Sequence, residues 1–112
     1  MKKEYRIKKS GEIEAIVKGR KSTGSKHFVV YIKENHENSR FRFAVSVSKK
    51  YGNAVARNKI KRQVKEVVSK LDIRSNVDVF IVIKVYANTL EFSEIKQSIV
   101  RLVKKQNILR WS

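Results

Sequence analysis

The chain has 112 residues, 41% of them hydrophobic, which suits one domain, spanning residues 1–112, with a single modest core. Its 27 lysine and arginine residues outnumber the 10 acidic residues, and the net charge of +17 favours an anionic partner such as nucleic acid. The absence of cysteine excludes a disulfide framework and a thiolate metal site. We see no apolar segment suited to a signal peptide or a membrane span, so we expect a soluble cytoplasmic protein with no membrane partner.

Hydrophobic periodicity predicts one helix and two strands in the first half of the chain. Ser10 is a candidate N-cap for a short helix that ends near Gly19. Residues 26–33 and 40–48 predict two strands separated by a polar turn. Because these strands follow one another closely in the sequence, we expect them to pair as a hairpin.

The second half of the chain predicts two further helices and one more strand. A helix from residue 53 to about residue 71 has Asn53 as its candidate N-cap. The β-branched, apolar segment 78–85 is typical of a strand covered on both faces. The last helix, 91–105, has one apolar stripe, and the whole pattern predicts an α+β fold with helices packed on a small sheet. The residues of that stripe are Phe92, Ile95, Ile99, Leu102 and Val103.

The helix predicted from residue 53 concentrates positive charge. Its apolar residues, from Ala56 to Leu71, share the face that docks on the sheet. The segment 49–65 contains seven basic residues and no acid, whereas a solvated helix face usually mixes both signs. Arginine offers paired donors to phosphate and lysine offers a mobile charge, so we interpret this segment as a nucleic-acid-binding surface. We assign to it Lys50, Asn53, Arg57, Asn58, Lys59, Lys61, Arg62 and Lys65.

Strand alternation predicts a second surface, a shallow groove on one side of the sheet. The segment 40–48 points phenylalanine and valine to the core and smaller or polar residues to the other side, where Tyr31 of the preceding strand joins them. One aromatic residue with a basic rim suits unpaired RNA, although Tyr31 filling a sheet face is the plainer interpretation. A strand rather than a short helix precedes the basic helix, which argues against a helix-turn-helix DNA reader. The groove residues are Tyr31, Ala44, Ser46, Ser48 and Lys49.

The titratable residues do not form a recognisable catalytic or metal-binding pattern. His27 and His36 are the only histidines; we expect His36 to be solvated and His27 to be structural or to contact RNA. The ten carboxylates are scattered, and no close pair flanks the basic segment. General acid–base or metal-assisted cleavage of RNA needs such groups to converge, so we predict no catalytic residue and no metal site in the polypeptide.

The stretch SVSKKYGNAVARNKIKRQVKE, residues 46–66, closely resembles the bacterial ribonuclease P protein subunit. That family carries an Arg-Asn-Arg-type motif, which stands in this chain as Arg57-Asn58-Lys59. The segments YRIKKSGEIEAIVKGRKS and HFVVYIK extend the similarity along nearly the whole chain. The resemblance implies that the basic helix binds one large catalytic RNA and that a groove binds the 5′ leader of precursor transfer RNA. It also implies that this RNA performs the chemistry with Mg²⁺, bound mainly by the RNA, and that the protein is a monomer, one per RNA, without a DNA partner.

The same resemblance implies a fold and a wall for the groove. The expected fold is a mixed four-stranded sheet with three helices, similar to the second domain of ribosomal protein S5, with a left-handed βαβ crossover through the basic helix. A short fourth strand should then lie near residues 21–25. In the family the leader lies between the sheet and the first helix, where two aromatic residues are typical. Ile13 and Val17 occupy the matching positions, so Tyr31 carries more of the expected stacking.

Composition alone also permits two other classes of protein. One is a ribosomal or other RNA-scaffolding protein. The motif at 57–62 argues against this class. The other is a cationic protein of the membrane surface, whose helix would carry bulky apolar residues opposite its charges. In this chain the helix face opposite the charges is mostly alanine, isoleucine and valine, which argues against a membrane-surface protein.

Overall fold

The protein forms one mixed sheet with helices on both of its faces. The structure is a computed structural model that describes Ile7 and residues 10–19, 21–37 and 40–110. Two 3₁₀ turns, Lys49–Tyr51 and Val85–Thr89, follow the third and fourth strands. The capping role predicted for Ser10 lies outside the described side chains. The helices and strands, in chain order, are α1 Ser10–Lys18, β1 Ser22–Gly24, β2 Phe28–Glu34, β3 Arg42–Val47, α2 Ala54–Ser69, β4 Val77–Ile83 and α3 Phe92–Lys105.

The strand order β1-β2-β4-β3 shows that the predicted hairpin between the segments 26–33 and 40–48 is wrong. Strand β4 lies between β2 and β3, antiparallel to the first and parallel to the second. The physical reason is that six of the seven residues of β4 are buried, so a place at the sheet edge would expose apolar surface. The prediction that this strand is covered on both faces is confirmed, and so is a short strand near residues 21–25.

The connection from β3 through α2 to the parallel strand β4 is the βαβ unit that the resemblance implies. The handedness of this crossover and the similarity to the ribosomal protein domain stay predictions. Helix α2 begins where the sequence predicts, because the Asn53 side-chain oxygen accepts a hydrogen bond from the Ala56 backbone N–H at 2.9 Å.

The larger core lies between one face of the sheet and the helices α2 and α3. Strand β2 contributes every second residue to it, as the alternation predicts. Phe92 departs from the predicted stripe of α3: it is the first residue of the helix, is 39% exposed and lines a surface cavity beside Tyr51. The fully buried side chains of this core include Phe28, Val30, Ile60, Val64, Ile81, Ile95 and Ile99.

A smaller apolar cluster lies on the opposite face of the sheet, beneath α1. Ile16 of α1 and Phe80 of β4 are buried there together with Ile7. Tyr31 and Ala44 pack against this cluster and are partly buried. Helix α1 is therefore held over the sheet by few apolar contacts, and the rest of that sheet face stays accessible.

One ionic network fastens α1 to the sheet. Asp78, which is 3% exposed, accepts hydrogen bonds from Arg42 Nε at 3.0 Å and Arg42 Nη2 at 2.8 Å. The same guanidinium donates from Nη1 to Glu12 of α1 at 3.1 Å, and Asn35 donates to Asp78 at 3.1 Å. Hydrogen bonding to Asp78 is the largest cause that raises the pKa of Arg42, so this pairing favours the charged form of the arginine.

We predict that Asp78→Ala lowers the free energy of unfolding by about 3 kcal/mol, because it leaves the Arg42 charge partly buried without its main partner. Glu12→Ala should cost at most about 1 kcal/mol, since Glu12 is partly solvated. Urea unfolding followed by circular dichroism measures both changes. Glu66→Ala, which breaks the exposed i,i+4 pair with Lys70, is the control and should cost about 0.3–0.5 kcal/mol. Equal losses for the three variants would contradict a special role of Asp78.

Candidate nucleic-acid interface

Helix α2 presents a basic face because its apolar face is fixed on the sheet. Ile60, Val64, Val67 and Val68 are buried, so the side chains on the opposite side of the helix point outward. We use the name basic face for this outward surface. It contains Asn58, Lys61, Arg62 and Lys65, of which Asn58 and Arg62 are exposed and both lysines are partly exposed.

Lys59 does not belong to the basic face, although its neighbours in the motif do. At 100° per residue it lies roughly 160° around the helix from Lys61, on the side that approaches α3. It lines a surface cavity there with Gln63 and Phe92. Lys59 is adjacent in sequence to residues of the basic face, but the helix directs its side chain to a different side.

Arg57 lies at the border between the basic face and the core. It is partly buried, and its Nε is buried without a hydrogen-bond partner in the part of the chain that the structure describes. A buried donor without a partner costs free energy, and such groups are rare in folded proteins. Burial of the Nε restricts the side chain, so the charge of Arg57 is presented from a nearly fixed position.

Six basic residues on α2 and on the turn before it form no ion pair with the residues that the structure describes. Arg74 and Lys70, for comparison, are paired with Glu34 and Glu66. The unpaired set leaves a concentrated positive charge that an anionic partner can neutralise. Among the residues that the structure describes, no ion pair is formed by Lys49, Lys50, Arg57, Lys59, Lys61 or Arg62.

The 3₁₀ turn Lys49–Tyr51 connects the basic face with the other side of the sheet. The Ser48 hydroxyl oxygen accepts a hydrogen bond from the Lys50 backbone N–H at 3.2 Å and so caps this turn. Lys49 and Lys50 are both exposed on it. Asn53 follows and is exposed, but its side-chain oxygen is occupied by the cap of α2. The two exposed lysines can reach phosphate, and Asn53, whose oxygen caps the helix, keeps its side-chain N–H groups as donors.

The groove lies on the face of the sheet that α1 only partly covers. Strand register places Tyr31, Phe80 and Ala44 side by side in one row, with Ser46 in the next row. The Tyr31 ring stacks on Phe80 with 6.0 Å between ring centroids and 29° between planes. Tyr31 is therefore half-buried and rigidly placed, rather than the freely exposed aromatic that the sequence predicts.

Sequence reasoning missed Phe80 as part of the groove. The segment 78–85 is apolar apart from Asp78 and Lys84, so it predicts a strand covered on both faces and does not single out a groove residue. Asp78, Phe80 and Val82 share one face by strand alternation, and the pairing of β4 with β2 and β3 places that face in the groove. The signal that could have found Phe80 is the pair of polar residues Asp78 and Lys84, which have the same alternation as Phe80.

The wall that α1 provides is aliphatic. Ile16 is fully buried against the sheet, and Ile13 packs beside it. The structure thus brings Ile13 to the groove, whereas Val17, one turn further along α1, is 37% exposed and does not pack against this cluster. Neither offers an aromatic ring, so a base that stacks in the groove has to find its ring on the sheet side.

Comparison with known proteins agrees with this geometry. The family model described as Ribonuclease P matches residues 1–107. The chain belongs to the ribonuclease P protein family. The ribonuclease P protein component of Bacillus cereus strain B4264 is 38% identical over 112 residues, covering 98% of this chain and 97% of the relative. It follows that the chain is a protein subunit of ribonuclease P, an endoribonuclease of transfer RNA processing.

Solved ribonuclease P proteins share the fold. The Staphylococcus aureus protein superimposes with a TM-score of 0.86 at 37% identity, covering 95% of this chain and 98% of that one. The Thermotoga maritima protein gives a TM-score of 0.80 at 24% identity, covering 89% and 96%, and shows likeness of fold alone. The predicted α+β class with three helices and a mixed four-stranded sheet is therefore confirmed.

The titratable groups of this ribonuclease P protein are dispersed or engaged. Glu34 accepts a hydrogen bond from Arg74 Nη1 at 2.8 Å, and hydrogen bonding to Arg74 lowers the pKa of Glu34. His36 is exposed, and His27 lines a separate cavity beside α3. Within residues 10–19, 21–37 and 40–110, no group of three or more histidine, cysteine, aspartate or glutamate side chains could hold a metal ion.

Proposed function

We propose that this ribonuclease P protein binds the catalytic RNA through the basic face of α2 and holds the 5′ leader of precursor transfer RNA in the groove. The observation that carries the proposal is the positive charge of Lys61 and Arg62 on a rigid helix, where they form no ion pair with the described residues, together with Lys49 and Lys50 between that helix and the groove. A single RNA assembly could then contact both surfaces at once. The proposal includes one protein per catalytic RNA and a cytoplasmic location.

The basic face suits the sugar–phosphate backbone of a folded RNA. Arg62 is exposed and can donate two parallel hydrogen bonds to one phosphate, whereas Lys61 supplies a charge without fixed direction. Because α2 is anchored by its buried residues, these groups need little reordering on binding, which lowers the entropic cost of association. Lys59 faces another direction and would reach a different segment of the RNA.

The groove suits an unpaired strand. Its floor is small at Ala44 and Ser46, so a strand can approach the sheet, and the ring of Tyr31 is held in place by Phe80. A fixed ring offers a stacking surface to any base, which fits leaders of differing sequence. Lys49 and Lys50 at the end of the groove would contact the phosphates of the same strand.

In this proposal the RNA subunit performs the Mg²⁺-dependent cleavage and the polypeptide positions the substrate. The described residues supply no metal ligand set and no general acid–base pair, so we place Mg²⁺ mainly on the RNA. The chain supplies binding energy and positive charge, which favour association of two polyanions that would otherwise repel one another. No helix among the described residues is long and apolar enough to cross a membrane.

We predict that Lys61→Ala combined with Arg62→Ala weakens binding to the catalytic RNA and lowers the slope of log affinity against log salt by about one unit for each phosphate that the variant no longer neutralises. Filter binding or fluorescence anisotropy at several salt concentrations measures both quantities. Lys70→Ala is the matched control, since Lys70 is an exposed lysine of the same chain that is already paired with Glu66. An unchanged affinity and slope in the double variant would refute the assignment of the basic face.

We predict that the purified protein alone leaves precursor transfer RNA intact in Mg²⁺, because its groups for acid–base or metal catalysis do not converge. His27→Ala and Glu94→Gln should leave the rate of the chemical step in the holoenzyme unchanged. Single-turnover cleavage at saturating Mg²⁺ and substrate measures this rate. A variant of either residue that folds and binds RNA but does not cleave would show that the polypeptide takes part in the chemistry.

We predict that Tyr31→Ala weakens binding of precursor transfer RNA to the holoenzyme by roughly 1–3 kcal/mol, the value of one base–aromatic stack. Mature transfer RNA lacks a leader and should lose almost nothing. Tyr31→Phe keeps the ring and should behave as the wild type, while Tyr31→Leu keeps packing bulk on Phe80 without a stacking surface. Side-by-side dissociation constants test this; an equal loss for precursor and mature RNA would indicate general destabilisation instead.

A further inference from the structure

A cavity of about 510 Å³ continues the groove beyond the ends of β3 and β4. Val82 on its floor lies next to Ser46 on the groove face of the sheet, and Ser48 follows β3 at its rim. A strand that leaves the groove in this direction therefore enters the cavity. Its apolar floor and open mouth suit a flat aromatic ligand such as a nucleobase.

Tyr86 forms one side of this cavity and is 60% exposed. It belongs to the 3₁₀ turn Val85–Thr89, which buried Ala87 anchors to the core. The turn is fixed further because the Ala87 N–H donates to the Lys84 carbonyl at 3.0 Å and the Thr89 hydroxyl donates to the Tyr86 carbonyl at 3.1 Å. A single exposed ring is ordinary on a protein surface. An exposed ring on a rigid turn beside an open apolar cavity is a preformed stacking surface.

The charges around Tyr86 are all positive. The Lys26 ammonium lies over the ring, 5.4 Å from its centroid, within the range of a cation–π contact. Lys84 donates one hydrogen bond to the Ser25 carbonyl at 2.8 Å, which holds its charge at the rim and leaves further donors, and Lys50 lies at the same rim. No carboxylate lines the cavity among the residues that the structure describes. An apolar floor with a cationic rim matches a nucleotide, which joins an aromatic base to an anionic phosphate.

We propose that this cavity binds one unpaired nucleotide of the leader, with its base stacked on Tyr86 and its phosphate held by Lys50 and Lys84. The inference rests on the proposed binding of the leader in the groove and adds a second stacking position to it. A stacking position at Tyr86 matters because the wall that α1 provides is aliphatic: Ile13 and Val17 offer no ring. Two bases of one strand would then stack on Tyr31 and Tyr86, at separate places along the sheet.

The first test compares precursor and mature transfer RNA affinities in the assembled holoenzyme. Tyr86→Ala should reduce the preference for precursor by about 5- to 150-fold, the factor that corresponds to the removal of one base–aromatic stack. Tyr86→Phe should keep the preference. Phe92→Ala is the matched control, because it removes another exposed aromatic residue that lies next to α2 and outside the groove. Equal preferences in Tyr86→Ala and wild type would overturn the inference.

The second test locates the base. Leaders that carry 2-aminopurine at one position each report stacking as loss of fluorescence on binding. One position should be quenched by wild type and Tyr86→Phe but not by Tyr86→Ala, and it should differ from the position that responds to Tyr31→Ala. If Tyr31→Ala alters one position and Tyr86→Ala alters none, the leader lies in the groove and this inference is wrong. If neither variant alters any position, the proposed leader site itself fails.

Discussion

The fold depends on one constraint: strand β4 is apolar on both faces and must be covered on both. Six of the seven residues at 77–83 are buried, Val82 being the exception, so the strand takes a central place between β2 and β3. Its place beside β3 as a parallel neighbour requires a crossover, and α2 supplies it. Helix α2 is thereby pressed on one sheet face with its charged side outward, while the other face keeps its groove. Both candidate RNA surfaces thus follow from where β4 lies.

Asp78 is the exception within β4, and it links the core to the groove. A buried carboxylate persists only when it is well paired, and Arg42 and Asn35 supply its partners. Because Arg42 also reaches Glu12, the network fixes the distance of α1 from the sheet. The apolar contacts of α1 are few. This ionic connection therefore contributes more to the width of the groove than it would if α1 packed on a larger core. Charges in this protein therefore have two separate uses, internal fastening and external binding.

The sequence determines the elements better than their pairing. Helices and strands follow local periodicity and caps, such as Asn53 at the start of α2, and these appear where predicted. The hairpin prediction fails because closeness in sequence matters less than the burial that β4 requires. For the candidate site, α2 periodicity places Arg62 and Lys61 on the outward side of the helix, where the structure has them, yet it gives no sign of Phe80 and Tyr86. Their proposed roles depend on strand register and on a turn after β4, and local periodicity in the sequence predicts neither.

The distribution of counter-ions explains how so basic a chain can fold and still bind RNA. Cations that shape the fold, Arg42 and Arg74, are paired with carboxylates, and those pairings raise the pKa of each arginine. Lys61, Arg62 and the two lysines of the turn before α2, by contrast, form no ion pair among the described residues. Their mutual repulsion opposes folding, and neutralisation by phosphate removes it. Binding RNA and stabilising the fold are then coupled, because an anion that binds only the folded chain shifts the folding equilibrium toward it.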